Sequence, residues 1–154
     1  RRMITDLLLK TRELYQATYP ERTKHLLHQY MNCTVTDPET KETMVDSGVC
    51  YIVARAVFNK LKETGLNPNL FFLWRHYSSP AGNGFEDELV HVGVELDGRF
   101  YDTVNTEGVP EAFQLWAAGY MRCSEWTLID NDGSQYFSRI MSRDTPYFRA
   151  LSEL

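Results

Sequence analysis

Cys50, His91 and Asp102 are the three residues of this chain whose types and order could together make a reactive thiol. Thiol chemistry needs a thiolate, a base that holds the proton and a group that orients the base. Cys50 opens an apolar pattern of helical spacing, Cys50, Val53, Ala54, Val57, Phe58 and Leu61, which stops at Gly65 with Pro68 following. Ser47 or Asp46 can cap that helix, which puts Cys50 in its first turn. There the helix dipole and the unpaired backbone N–H groups favour an anion. Gly48 removes side-chain bulk where a substrate would approach, and the N–H of Cys50 itself can donate to an oxyanion.

The base and its partner come from one hairpin. Two strand-like runs, Leu89 to Leu96 and Arg99 to Val104, flank Asp97-Gly98, a pair that favours a tight type I′ turn. With those two residues at the turn, Leu96 sits opposite Arg99, Glu95 opposite Phe100, Val94 opposite Tyr101 and Gly93 opposite Asp102. Side chains alternate faces, so His91, Gly93 and Glu95 share one face with Phe100 and Asp102, while Val90, Val92, Val94 and Leu96 bury the other. His91 and Asp102 become diagonal neighbours at roughly 7 Å between backbone positions, with no side chain on Gly93 between them. Asp102 then fixes the imidazole tautomer and leaves the other ring nitrogen for the thiol.

A cysteine at a helix start, a histidine on a strand and an aspartate on the next strand, in that order, resemble the papain-like and transglutaminase-like superfamily of thiol enzymes. The matching stretches are Asp46-Ser47-Gly48-Val49-Cys50-Tyr51 and His91 to Asp102, a little over a third of the chain. The second is the more specific, because a His-initiated strand, an Asp-Gly turn and a Tyr-Asp strand recur in transglutaminase-like domains. The resemblance implies Cys50 as nucleophile, His91 as base and Asp102 as orienting acid. It also implies a papain-like core, with the nucleophile helix packed on a small antiparallel sheet. Two departures stand out: no glutamine near Met44 supplies the second oxyanion donor, leaving Gln29 and Asn32 as weak candidates, and no tryptophan follows Cys50.

The remaining candidates carry less. Cys33 and Cys123 have no basic partner in sequence and read as structural. His25 and His28 have a spacing compatible with metal binding, but nothing completes a ligand set, so no metal or other cofactor is expected. His76 is a fallback base. Phe113, Trp116 and Trp126 read as packing residues, and Glu86, Asp87 and Glu88 as a solvated loop.

Other elements must hold these residues in place. Ile4, Leu7, Leu8, Thr11 and Tyr15 recur at helical spacing and predict a first helix over Ile4 to Thr18; Pro20 opens a second with Leu26, Leu27, Tyr30 and Met31. Thr34 to Ser47 reads as loop, Leu70 to Trp74 as a buried strand, and Ser78 to Gly84 as loop. Pro110 opens a helix with Phe113, Trp116, Ala117 and Tyr120 on one face, and Trp126 to Ile129 forms a last strand ended by Asn131-Asp132-Gly133. The expected fold is α+β, a single catalytic domain over residues 1–154, helices flanking a small antiparallel sheet.

The 154 residues suffice for a real core without staples. A net charge of −5 with scattered basic residues argues against nucleic acid, and no apolar run approaches the roughly 20 residues of a membrane span. Arg1-Arg2-Met3 shows no signal-peptide pattern, so the expectation is a soluble protein, cytoplasmic or delivered by a route this stretch does not reveal. The expected activity is that of a thiol hydrolase or transferase on amide bonds of a protein or peptide: glutamine deamidation, proteolysis or transglutamination through a thioester, with a bacterial effector or toxin domain as the setting. The alternatives are a non-catalytic binding module on the same scaffold and an acyl-coenzyme A dependent acyltransferase.

Overall fold

The computed structural model describes residues 2–21, 49–78, 85–138 and 145–154. The expected second helix, the loop before Cys50, the loop 79–84, and with them His25, His28, Gln29, Asn32, Cys33, Met44, Ser47 and Gly48, lie outside the described residues. Four α-helices are described: α1 (Arg2–Thr18), α2 (Cys50–Glu63), α3 (Trp116–Tyr120) and α4 (Pro146–Ala150). Four strands, β1 (Asn69–Ser78), β2 (Phe85–Leu96), β3 (Arg99–Tyr101) and β4 (Glu125–Ile129), form one antiparallel sheet in the order β3-β2-β1-β4. The architecture is α+β, and no described helix is long and apolar enough to cross a membrane.

Both helices of the upper layer follow from their apolar stripes. Ile4, Leu8 and Tyr15 of α1 are buried, as are Cys50, Val53, Ala54, Val57, Phe58 and Leu61 of α2, each large side chain stabilising the fold by about 1.5–3 kcal/mol. They pack on Leu70, Phe72, Val92, Val94, Leu96 and Tyr101, the upper face of the sheet. The lower face, Phe71, Leu73, Val90 and Phe100, is covered by Ala112, Leu115, Ala117 and Ala118.

That lower cover differs from the single helix expected after Pro110. A 3-10 turn, Ala112–Gln114, is separated from α3 by Leu115, whose extended backbone (ψ 143°) breaks the helix. Leu115 and three alanines therefore face the sheet, and small side chains let the segment lie close. Phe113, Trp116 and Trp126, read from sequence as packing residues, are instead 50%, 39% and 38% exposed. Trp116 stacks on Tyr120, with ring centroids 4.7 Å apart.

The hairpin forms in the expected register: Leu96 pairs with Arg99, Glu95 with Phe100 and Val94 with Tyr101. Asp97 and Gly98 both have positive φ, 52° and 83°, as a type I′ turn requires. The Glu95 carboxylate clamps it, accepting from the Gly98 N–H and the Asn69 side-chain amide, each at 2.8 Å.

Two expectations about β2 fail. Glu86, Asp87 and Glu88 are strand residues rather than a loop, because β1 continues past Trp74 and sets Arg75 opposite Glu88, an ion pair, and His76 opposite Asp87, a hydrogen-bonded pair. A bulge at Val90 also breaks the alternation, since Leu73 pairs with His91 but Trp74 with Leu89. Leu89 therefore joins Val92 and Val94 on the upper face, and Val90 packs below with Phe71 and Phe100.

Gly93 is required where the chain is tightest. A Cβ there would stand 2.2 Å from the Phe71 ring and 2.6 Å from the Tyr101 carbonyl oxygen, and the backbone atom cannot yield. Gly93→Ala is expected to destabilise the fold by about 1–3 kcal/mol, read as a lower urea midpoint. An unchanged midpoint would show that the sheet has slack at this point.

Candidate active site

Cys50 is the first residue of α2, with Val49 as the residue before it and no side-chain cap among the described residues. The N-cap position is thus Val49 and not the expected Ser47 or Asp46, which lie outside the described residues, but the position of the cysteine in the first turn is as read from its spacing. Cys50 thus stands at the positive end of the helix.

Asp102 does not lie within a strand. β3 ends at Tyr101 because the Asp102 carboxylate captures the next backbone donors: Oδ1 accepts from Val104 N at 3.0 Å and from Asn105 N at 2.6 Å. Oδ2 is left for His91, whose Nε2 donates to it at 2.9 Å. The carboxylate is held by two backbone donors on one oxygen and an imidazole on the other.

His91 is 1% exposed and Asp102 4%. The ring meets Phe71 edge to face, centroids 6.2 Å apart, and Phe71 occupies the space that Gly93 leaves empty. Nδ1, the nitrogen not used by Asp102, is buried and makes no hydrogen bond of ordinary geometry among the described residues. The second group acting on the ring is Cys50. Burial alone would push the His91 pKa down, but hydrogen bonding with Asp102 and Cys50, and the charges of both, outweigh it and raise it to about 10. A shift in that direction favours the protonated ring, and a cation beside a sulfur favours the thiolate.

The three residues singled out from sequence are therefore brought together. Glu95, which clamps the hairpin, and Phe71, which backs the imidazole, were not; a carboxylate two residues before an Asp-Gly turn was the available signal for the first. The contrast with Cys123 is sharp. Half-buried and without a base, it has its pKa pushed up to about 11, burial outweighing the charge of Arg75. His76 is half-exposed and bonded through Nδ1 to Asp87 at 2.7 Å, and it plays no part here.

Around Cys50 and His91 lies a gap of about 10 Å³, walled by Leu8 of α1, Val53 and Ala54 of α2, Val92 to Val94 of β2, Tyr101 and the start of the Asp102 loop. It barely admits one water. A larger cavity of about 220 Å³ lies on the opposite side of α2, between Ile52, Arg55 and Asn59 and the C-terminal residues Phe148 and Leu151. Its lining holds neither a thiol nor an imidazole, so size and chemistry point to different places, and the chemistry of a nucleophile and base decides for the smaller.

No protein-family model matches this chain, and neither a curated protein nor a solved structure matches it.

Because the folded His91 pKa lies above its ordinary 6.5, its proton stabilises the native state fully below about pH 6.5, and the contribution is lost as pH rises to about 10. The stability difference between wild type and His91→Gln, from urea unfolding, is expected to shrink across that window. A difference that grows with pH would contradict it. In Asp102→Asn, burial is left with less opposition, so the NMR titration of His91 is expected to fall below that of wild type.

Proposed function

We propose that this chain is a cysteine-dependent hydrolase or transferase acting on amide bonds of a protein or peptide, built on a papain-like or transglutaminase-like core. The observation that carries the reading is His91, buried between the Asp102 carboxylate at 2.9 Å and the Cys50 sulfur at a helix start.

The steps follow from which nitrogen faces which group. The thiolate attacks the amide carbon, a C–S bond forms, and the carbonyl electron pair moves to oxygen, where the Cys50 N–H can donate to it. His91 gives its Nδ1 proton to the departing nitrogen as the C–N bond breaks, leaving a thioester. A water, or the amine of a second molecule, then loses a proton to His91 and attacks the thioester, returning the thiolate. Asp102 holds the ring through Nε2 throughout and stabilises its cation without itself taking the proton. Water with a glutamine side chain is deamidation, water with a backbone amide is proteolysis, and an amine acceptor is transglutamination.

The closure of the gap favours a second reading, a non-catalytic binding module that keeps this scaffold. The two differ in thiol behaviour. Iodoacetamide at about pH 6, followed by peptide mass mapping, is expected to modify Cys50 faster than Cys123, whose thiol is protonated there. Asp102→Asn is expected to slow the Cys50 reaction by an order of magnitude or more with the fold intact. Cys50 reacting no faster than Cys123 would leave the binding module as the better account.

A further inference from the structure

We infer that the N-terminal half of α1 is a releasable cover over the Cys50 sulfur, latched to the Asp102 loop by Thr5. The inference rests on the thiol-enzyme reading of this site and adds how access to it is controlled. A carbonyl carbon must touch the sulfur, yet Cys50 is 4% exposed and the gap beside it holds about 10 Å³. A wall has to move.

Most of the described walls are the machinery itself. Val53 and Ala54 belong to the helix that carries the nucleophile, Val92 to Val94 and Tyr101 are tied into the sheet, and Asp102 orients the base. Leu8 is the described lining residue that comes from a separate element, α1.

Ile4, Leu8 and Tyr15 bury both halves of α1 in the core, but its polar attachments differ along its length. Its C-terminal half is anchored by Tyr147, whose hydroxyl donates to the Thr11 carbonyl at 2.9 Å and whose ring packs edge-on against Tyr15, centroids 5.0 Å apart. Its N-terminal half is held to the loop after β3 by Thr5 Oγ1, which donates to the Thr106 carbonyl at 2.8 Å, and by Arg2 to Glu107 at 3.8 Å. The second contact joins side chains 74% and 77% exposed and contributes little. Between the halves, Thr11 Oγ1 donates back to the Leu8 carbonyl at 2.6 Å, the kind of side-chain bond that weakens and bends a helix. Its acceptor is the carbonyl of the residue that lines the gap. Thr106 is one residue beyond Asn105, whose N–H binds Asp102, so latch and orienting acid share one loop.

The test is the rate of Cys50 alkylation by iodoacetamide in the whole chain, located by mass mapping, in wild type, Thr5→Val and Leu61→Ala. Thr5→Val removes the latch while keeping side-chain volume. It is expected to speed Cys50 labelling about five- to tenfold, the population change that loss of one hydrogen bond carries, with Cys123 unchanged. Leu61→Ala, in the same core but away from the gap, opens a cavity without touching the latch and is expected to leave the rate as in wild type. No acceleration in Thr5→Val, or equal acceleration in Leu61→Ala, overturns the cover. The pH dependence separates this from the reading beneath it: labelling sped by Thr5→Val but rising with pH only as an ordinary thiol does would keep the cover and remove the activated thiolate.

Discussion

A histidine ring buried in the interior between a carboxylate and a cysteine is the constraint around which the rest of this structure is arranged. Removing a cation from water is costly unless anions and acceptors replace the solvent. His91 meets that requirement with a carboxylate on Nε2 and a sulfur on the side of Nδ1, so that neither partner can be moved without leaving a charge unmatched. The neighbouring features read as consequences. Gly93 is bare so that Phe71 can back the ring, and β3 ends at Tyr101 so that Asp102 can turn its carboxylate inward. α2 begins at Cys50, which puts the cysteine at the positive end of the helix.

Much of this was legible in the sequence because it depends on local rules. Asp97-Gly98 dictates the turn type, the turn dictates the register, and the register places His91 near Asp102 before any tertiary contact is known. The apolar spacing after Cys50 likewise places it at a helix start. What could not be read arises from competition between local and distant bonds. Asp102 looks like a strand residue until its side chain is seen to take the N–H groups of Val104 and Asn105. The bulge at Val90 reflects the pairing of β1 with an extended β2, which the acidic run Glu86 to Glu88 disguised as a loop.

The lower face of the sheet teaches the same lesson through size. Large aromatics at helical spacing suggest a buried stripe, yet Ala112, Ala117 and Ala118 lie against the sheet and Phe113 and Trp116 face outward. Alanine gains little from burial per residue, but it allows a segment broken at Leu115 to approach Phe71 and Phe100 closely. The place of Leu8 in the lining of the gap was equally hidden: α1 is plainly amphipathic, but which of its buried residues reaches the gap beside Cys50 depends on contacts with α2 and with the loop after β3.

The arrangement thus sets a thiol and an imidazole together in the interior, beside a gap lined by Leu8 of α1. The most direct measurement of that pair is the ultraviolet absorbance of the thiolate, taken as the difference between wild type and Cys50→Ala across the pH range, because it needs no reagent to reach the sulfur. The account predicts excess thiolate absorbance at neutral pH and well below the ordinary cysteine range of about 8.5. Absorbance that appears only above that value would show a neutral thiol beside His91 and contradict it.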